Sequence, residues 1–241
     1  MLTQVRPMLE RLILALALAV PAAAFAQAGK PAAPASTPPA TKPAVEASAP
    51  EHPRVLLRTS MGDITVELFP DRAPKTVANF LQYVRDGFYD GTVFHRVIKG
   101  YLVQGGIFTR DLTQKRTRAP IASEADNGLS NLRGTIAAAR GADPNSATAQ
   151  FFINVVDNPR LDYVSNQSGL TWGFAVFGKV VAGMDVVDRI QDLPTAPQGP
   201  FAGDVPRPLV VIEKAELLPA PAAAASVAAP AAAKPAAGKK R

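Results

Sequence analysis

Apolar and polar positions alternate in short runs through the middle of the chain. Val55–Thr59 and Ile64–Leu68 each read as a half-buried strand, and Ser60–Asp63 between them is a hairpin signal. The period then changes. Over Ala73–Asp86, Val77, Phe80, Leu81 and Val84 fall on one helical face, with Pro74 suited to the first turn and Gly87 to the stop. Strand-like runs resume at Thr92–Ile98, Tyr101–Gln104, Thr135–Ala139, Phe151–Val155 and Phe174–Val180. Gly183–Ile190 predicts a second, shorter helix and Leu209–Leu217 a closing strand, with loops over 105–134 and 141–149. Many short strands with two isolated helices predict a mainly β fold, a closed antiparallel barrel capped by helices. A parallel doubly wound sheet would need a helix between nearly every pair of strands.

The ends follow a different pattern. Arg6 and Arg11 precede the apolar run Leu12–Val20, and Ala24-Phe25-Ala26 fits a small-x-small cleavage site, with Ala26-Gln27-Ala28 a second one. Residues 1–26 therefore read as a signal peptide cleaved near Ala26. The run, broken by Pro21, is shorter than the roughly 20 residues of a membrane span, so no stable span is expected. Residues 27–52 and 219–241 are rich in Ala and Pro, and 11 of the 23 prolines lie outside 53–219. Such segments bury too little apolar surface to offset chain entropy, and they read as a disordered linker and a disordered tail around a domain at 53–218.

Composition narrows the chemistry. At 47% hydrophobic and 19% charged residues, the 241-residue chain is able to pack a core. The chain carries 26 bases against 20 acids, but between 53 and 219 there are 18 bases and 17 acids. The basic surplus sits at the ends, so a nucleic-acid-reading core is not expected. There is no cysteine, which excludes disulfides, thiolate nucleophiles and Cys-ligated zinc, and only His52 and His95 represent histidine. No metal or cofactor is expected. A Ser–His–Asp hydrolase needs a histidine beside a nucleophile. His52 lies in the linker, and His95, inside an apolar strand run, reads as a core residue rather than a base. Gly100, Gly105 and Gly106 are wrongly spaced to cradle phosphate, and the scattered acids single out no carboxylate pair.

The run from Phe94 to Thr109 is the most informative. A two-residue period puts Phe94 and Arg96 on one strand face and His95 on the other. After a turn at Gly100, Leu102 and Gln104 share a face. The strand pair thus presents an arginine, a glutamine and apolar side chains to a common surface. Arginine among apolar neighbours is costly unless paired, so a salt bridge to a core acid is the plain alternative to a functional role.

These residues resemble the signature of the cyclophilin family of peptidyl-prolyl cis–trans isomerases: Phe94-His95-Arg96, then Gly100-Tyr101-Leu102, Gln104-Gly105-Gly106 and Phe108-Thr109. The likeness continues through Thr135–Arg140, Asn145–Ile153 and Val176–Met184, covering about 53–219 in order, and it is strongest to the exported bacterial branch. It implies an eight-stranded antiparallel barrel with a helix over each end. It implies catalysis by Arg96, oriented by Gln104, with Tyr101, Leu102, Phe152 and Leu161 lining a pocket for the substrate's proline ring. Ala139, Arg140 and Gln150 would form the backbone-binding side of the groove, and Phe174 falls where many relatives keep a histidine. Tyr101 and Leu102 replace a phenylalanine and a methionine, and Arg140 an asparagine. Arg160 stands where the family has a tryptophan before Leu-Asp, which implies weak cyclosporin binding, while Trp172 belongs to a variable loop. The expected partners are proline-containing exported polypeptides, met in the periplasm by a monomer. A non-catalytic proline-binding module and an envelope protein tethered by its tails are the competing readings.

Overall fold

A computed structural model describes residues 52–219. The signal segment and nearly all of the linker and tail lie outside the described residues. Alternation closes the sheet: in β1 (Arg54–Thr59) and β2 (Gly62–Leu68), Val55, Leu57, Ile64, Val66 and Leu68 all point into one core, while Arg54, Arg58 and Glu67 stay outside. The two strands pair as the expected hairpin. α1 (Pro74–Arg85) lays Val77, Phe80, Leu81 and Val84 onto the core, as its spacing predicts. Ala73 offers no capping side chain, and the Glu124 carboxylate accepts the Lys75 and Thr76 amides at 3.0 and 2.8 Å instead. An acidic group at a helix N-terminus satisfies orphan donors and complements the helix dipole.

β3 (Thr92–Ile98), β4 (Leu102–Thr109), β5 (Thr135–Ala138), β6 (Phe151–Asn154), β7 (Val176–Ala182) and β10 (Val210–Leu217) complete the barrel. Its order is β1-β10-β3-β4-β6-β5-β7-β2, and all pairings are antiparallel. α2 (Met184–Gln191) covers it with Val186, Val187 and Ile190. The closed eight-stranded antiparallel barrel with two helices is therefore present. A separate hairpin, β8 (Thr195–Gln198) and β9 (Phe201–Pro206), was not visible in the sequence pattern. Two boundaries also move. β4 runs on past Gln104 to Thr109, and β7 begins at Val176, which leaves Phe174 in the loop before it.

The expectation that Phe94 and Arg96 share a face is wrong. Phe94 pairs with Gly105 and Arg96 with Gln104, so β3 carries one more residue than β4 across this stretch. Such a bulge resets the alternation. Phe94 stays in the core, His95 and Arg96 both leave it, and Val97 turns back in. Gly105 permits the bulge. A Cβ there would meet the Phe94 ring at 2.8 Å and the Val93 carbonyl at 2.9 Å.

Candidate active site

Strand alternation builds a second, smaller apolar surface on the outside of the barrel. Val103, Phe151 and Ile153 point in, so Leu102, Gln104 and Phe152 point out, and Ala137 joins them from β5. Leu161, on a 3-10 turn over Pro159–Leu161, and Phe174 close over these residues, with Tyr101 beside them. The Phe152 and Phe174 rings meet edge-on at 5.5 Å. Together they form a cleft of about 190 Å³ lined by Arg96, Tyr101, Leu102, Gln104, Ala139, Arg140, Phe152, Leu161 and Phe174. Nine of the ten residues singled out in the sequence therefore meet at one opening. The tenth, Gln150, stands behind it, accepting the Gln104 Nε2 amide at 3.1 Å through its own Oε1.

The cleft's wall is anchored from beneath by amides that sequence reasoning missed. Asn131 and Asn154 are fully buried and Asn158 nearly so. Asn158 Nδ2 donates to the Tyr101 carbonyl at 2.9 Å and to Asn154 Oδ1 at 2.7 Å. Asn154 Nδ2 donates to Asn131 Oδ1 and Thr135 Oγ1, and Asn131 Nδ2 reaches the carbonyls of Leu161 (3.0 Å) and Phe174 (3.4 Å) and the Asp162 carboxylate. Buried polar groups need such partners, and here they link the backbones of three pocket residues. The run Asn154-Val155-Val156-Asp157-Asn158 held the only signal, two amides four positions apart.

Arg96 is exposed. Its Nη1 donates to Gln104 Oε1 at a long 3.5 Å, and its Nε lies 3.6 Å from Asp204 Oδ2 on β9. The core acid anticipated as its alternative partner is thus an exposed carboxylate at the rim. Arg140 behaves differently. Its Nε donates to the Gly173 carbonyl, Nη1 to that of Gly141 and Nη2 to that of Gly169, while its guanidinium lies 4.8 Å from the Phe174 ring centre. It binds the 169–173 loop to the cleft rather than offering free donors to a ligand. Burial draws its pKa below the usual arginine value, with Asp143 opposing. Arg160 is exposed on the 3-10 turn, and Trp172 packs edge-on against Tyr163 at 5.6 Å.

His95 is buried as expected for a core residue, but its Nδ1 has no hydrogen-bond partner. Its ring stacks between Phe108 (4.7 Å) and Phe201 of β9 (5.3 Å). Burial, assisted by the nearby Arg96 charge, lowers its pKa to about 4. It faces away from the cleft and is no base for chemistry there. The arrangement at the cleft offers an apolar seat for a small ring and one cation at its edge, with no nucleophile beside a base.

Comparison with known proteins agrees with that geometry. Residues 54–217 match the model of the cyclophilin type peptidyl-prolyl cis-trans isomerase family. The chain is 54% identical over 159 residues to peptidyl-prolyl cis-trans isomerase B of Escherichia coli (strain K12), covering 66% of this chain and 96% of that protein. It is 51% identical over 164 residues to isomerase A of Dickeya dadantii (strain 3937), covering 68% of this chain and 84% of the relative. A crystal structure of a cyclophilin type isomerase from Cryptosporidium parvum superposes with a TM-score of 0.58 at 26% identity, covering 70% of this chain and 99% of that one.

Proposed function

The chain belongs to the cyclophilin-type peptidyl-prolyl cis–trans isomerases, and from that premise we propose that Arg96 is its catalytic residue and that its substrates are exported polypeptides. The enzyme accelerates rotation about X–Pro bonds, a reaction opposed by a barrier of about 18–20 kcal/mol because twisting the bond sacrifices amide resonance. In the twisted state the nitrogen lone pair is no longer delocalised and accepts a hydrogen bond. A donor aimed at that nitrogen stabilises the transition state more than either planar form, which is the condition for catalysis.

The carrying observation is the placement of the Arg96 guanidinium at the edge of an apolar cleft. The proline ring sits against Leu102, Phe152 and Leu161, which fixes one side of the bond while the other side turns. Gln104 holds the guanidinium from the barrel side. Arg96→Ala should lower kcat/KM in a protease-coupled proline-peptide assay by about 100-fold, the scale of losing one transition-state donor, with circular dichroism unchanged. Arg96→Lys should restore little, since a point charge lacks the planar fork. Near-wild-type turnover by a folded Arg96→Ala protein overturns the assignment.

The reading of exported substrates is supported by the Arg6/Arg11, Leu12–Val20 and Ala24-Phe25-Ala26 pattern. Expressed from its full-length gene in a Gram-negative cell, the protein should be recovered from the periplasmic fraction with a new N-terminus near Gln27. Leu14→Arg with Leu16→Arg should hold it, uncut, in the cytoplasm. Recovery of the unaltered full-length chain in the cytoplasm rejects this part of the proposal.

A further inference from the structure

The β8–β9 hairpin lies over the outer face of β3 and is seated by its own apolar contacts. The Phe201 ring packs on His95 at 5.3 Å and on Phe108 at 4.9 Å, and Val205 is fully buried. Phe201 also joins Leu209 against the buried cluster of Val93, Leu112 and Val211. Arg207 N donates to the Pro194 carbonyl at 2.8 Å across the base of the hairpin. Between the two anchored residues Phe201 and Val205 stands Asp204, with φ at 64°. Its Oδ2 lies 3.6 Å from Arg96 Nε.

We propose that Asp204 is a positioning residue for Arg96, a proposal that rests on the catalytic assignment made above. Gln104 takes Nη1 from one side and the Asp204 carboxylate attracts the Nε edge from the other. The guanidinium plane is thereby fixed by two groups on separate elements. Its remaining donors are left for the cleft. Without Asp204, a long exposed side chain with one 3.5 Å contact samples many rotamers, and each departure from the productive one lowers turnover. The carboxylate sits on a seated hairpin rather than a free loop, so its position is set by Phe201 and Val205. The left-handed backbone supplies a competing explanation, because Asp is among the few side chains that adopt it readily. Asn and Gly tolerate that backbone equally well, which lets the charge be removed without disturbing the turn.

The experiment compares wild type, Asp204→Asn, Asp204→Gly, Arg96→Ala and the Arg96→Ala/Asp204→Asn double variant with an uncharged proline peptide. Both Asp204 variants should lose about threefold in kcat, the upper part of the range for an exposed ion pair, with KM unchanged. Raising NaCl should lower wild-type kcat toward the variant value and leave Asp204→Asn flat, as screening removes the same attraction. In nitrogen-15 spectra the Arg96 Nε–Hε proton should exchange with water faster in Asp204→Asn. In the Arg96→Ala background the second substitution should change nothing further. A kcat that is unchanged or raised in Asp204→Asn, with Arg96→Ala still impaired, overturns the positioning role alone. An unimpaired Arg96→Ala overturns the catalytic assignment beneath it.

Discussion

On one side of the cleft, the carbonyls of Tyr101, Leu161 and Phe174 are tied through three buried asparagines by hydrogen bonds, most of them near 3 Å. On the other, Arg96 is exposed and touches Gln104 and Asp204 at 3.5 and 3.6 Å. The difference matches what the proposed mechanism asks of each side. The wall recognises a ring whose shape is the same in the cis, trans and twisted states, so it is best built in advance and kept rigid. In the proposed mechanism the cation meets an acceptor that exists only in the twisted state. Contacts that hold it loosely before binding are consistent with catalytic hydrogen bonds that shorten later. Low dielectric reinforces the distinction: the amide chain lies where an unpaired polar atom is costly, and the arginine lies where water screens it.

Acid should attack the arginine side first, with the largest effect. His95 supports the hairpin that carries Asp204, and its folded-state pKa is about 4 against an ordinary 6.5. The unfolded chain takes up a proton below about pH 6.5 that the folded chain refuses. The stability this represents is intact above that pH and drains away as pH falls through 4, below which both states are protonated. The loss is about 3 kcal/mol by pH 4, and about 2 kcal/mol by pH 5. Glu67 is held below the usual carboxylate range chiefly by its Arg54 hydrogen bond, so its protonation works in the same direction at lower pH. Urea unfolding at pH 7 and pH 5 should show this slope in wild type and a flattened one in His95→Leu. An equal slope in both proteins would assign the acid sensitivity elsewhere.

The wall is tested by Asn154→Ala, which leaves buried Asn131 Oδ1 without a donor and takes one of two partners from Asn158 Nδ2 and from Thr135 Oγ1. Leaving buried groups unpaired should cost about 2 kcal/mol in unfolding free energy. Because the two amides that hold the Tyr101 and Leu161 carbonyls then lose the residue that joins them, KM should rise several-fold while kcat at saturating peptide changes little. A fall confined to kcat would show that the amides serve the arginine rather than the ring.

The contrast between the two sides also explains what could be read from the sequence. Leu102 and Gln104 were legible as one face because β4 keeps a two-residue period there, whereas Phe152, which the structure sets beside them, was reached only through the resemblance. The resemblance to a known family then supplied roles for Arg96 and Gln104 that periodicity alone left open. The β3 bulge was not legible. It depends on clearance against Gly105 of the partner strand, and a slip of one residue reverses every facing that follows. The hairpin was hidden by Pro194, Pro197, Pro200 and Pro206, which read as breakers, although a two-stranded ribbon outside the main sheet tolerates them. Asp204 was therefore invisible as a neighbour of Arg96, 108 positions away in the chain. The three carbonyls that occupy Arg140 were equally hidden, because two of them come from a loop about 30 residues further along.

The smallest expected effect belongs to Gln104 and gives the sharpest test of how loosely the arginine is held. Its amide orientation is set by Gln150, whose Oε1 accepts from Nε2 and so turns Oε1 of Gln104 toward Arg96. Removing it in Gln104→Ala deletes one long, solvent-shared hydrogen bond, so kcat/KM should fall about fivefold, in line with roughly 1 kcal/mol for a single such bond. Gln150→Leu should fall by less, since the Gln104 amide can still rotate into place part of the time. If Gln104→Ala instead matches the loss of Arg96→Ala, the guanidinium has no second support and the Asp204 contact contributes nothing. A graded series, Arg96→Ala far below Gln104→Ala and Gln104→Ala below Gln150→Leu, is what a cation steadied from two sides requires.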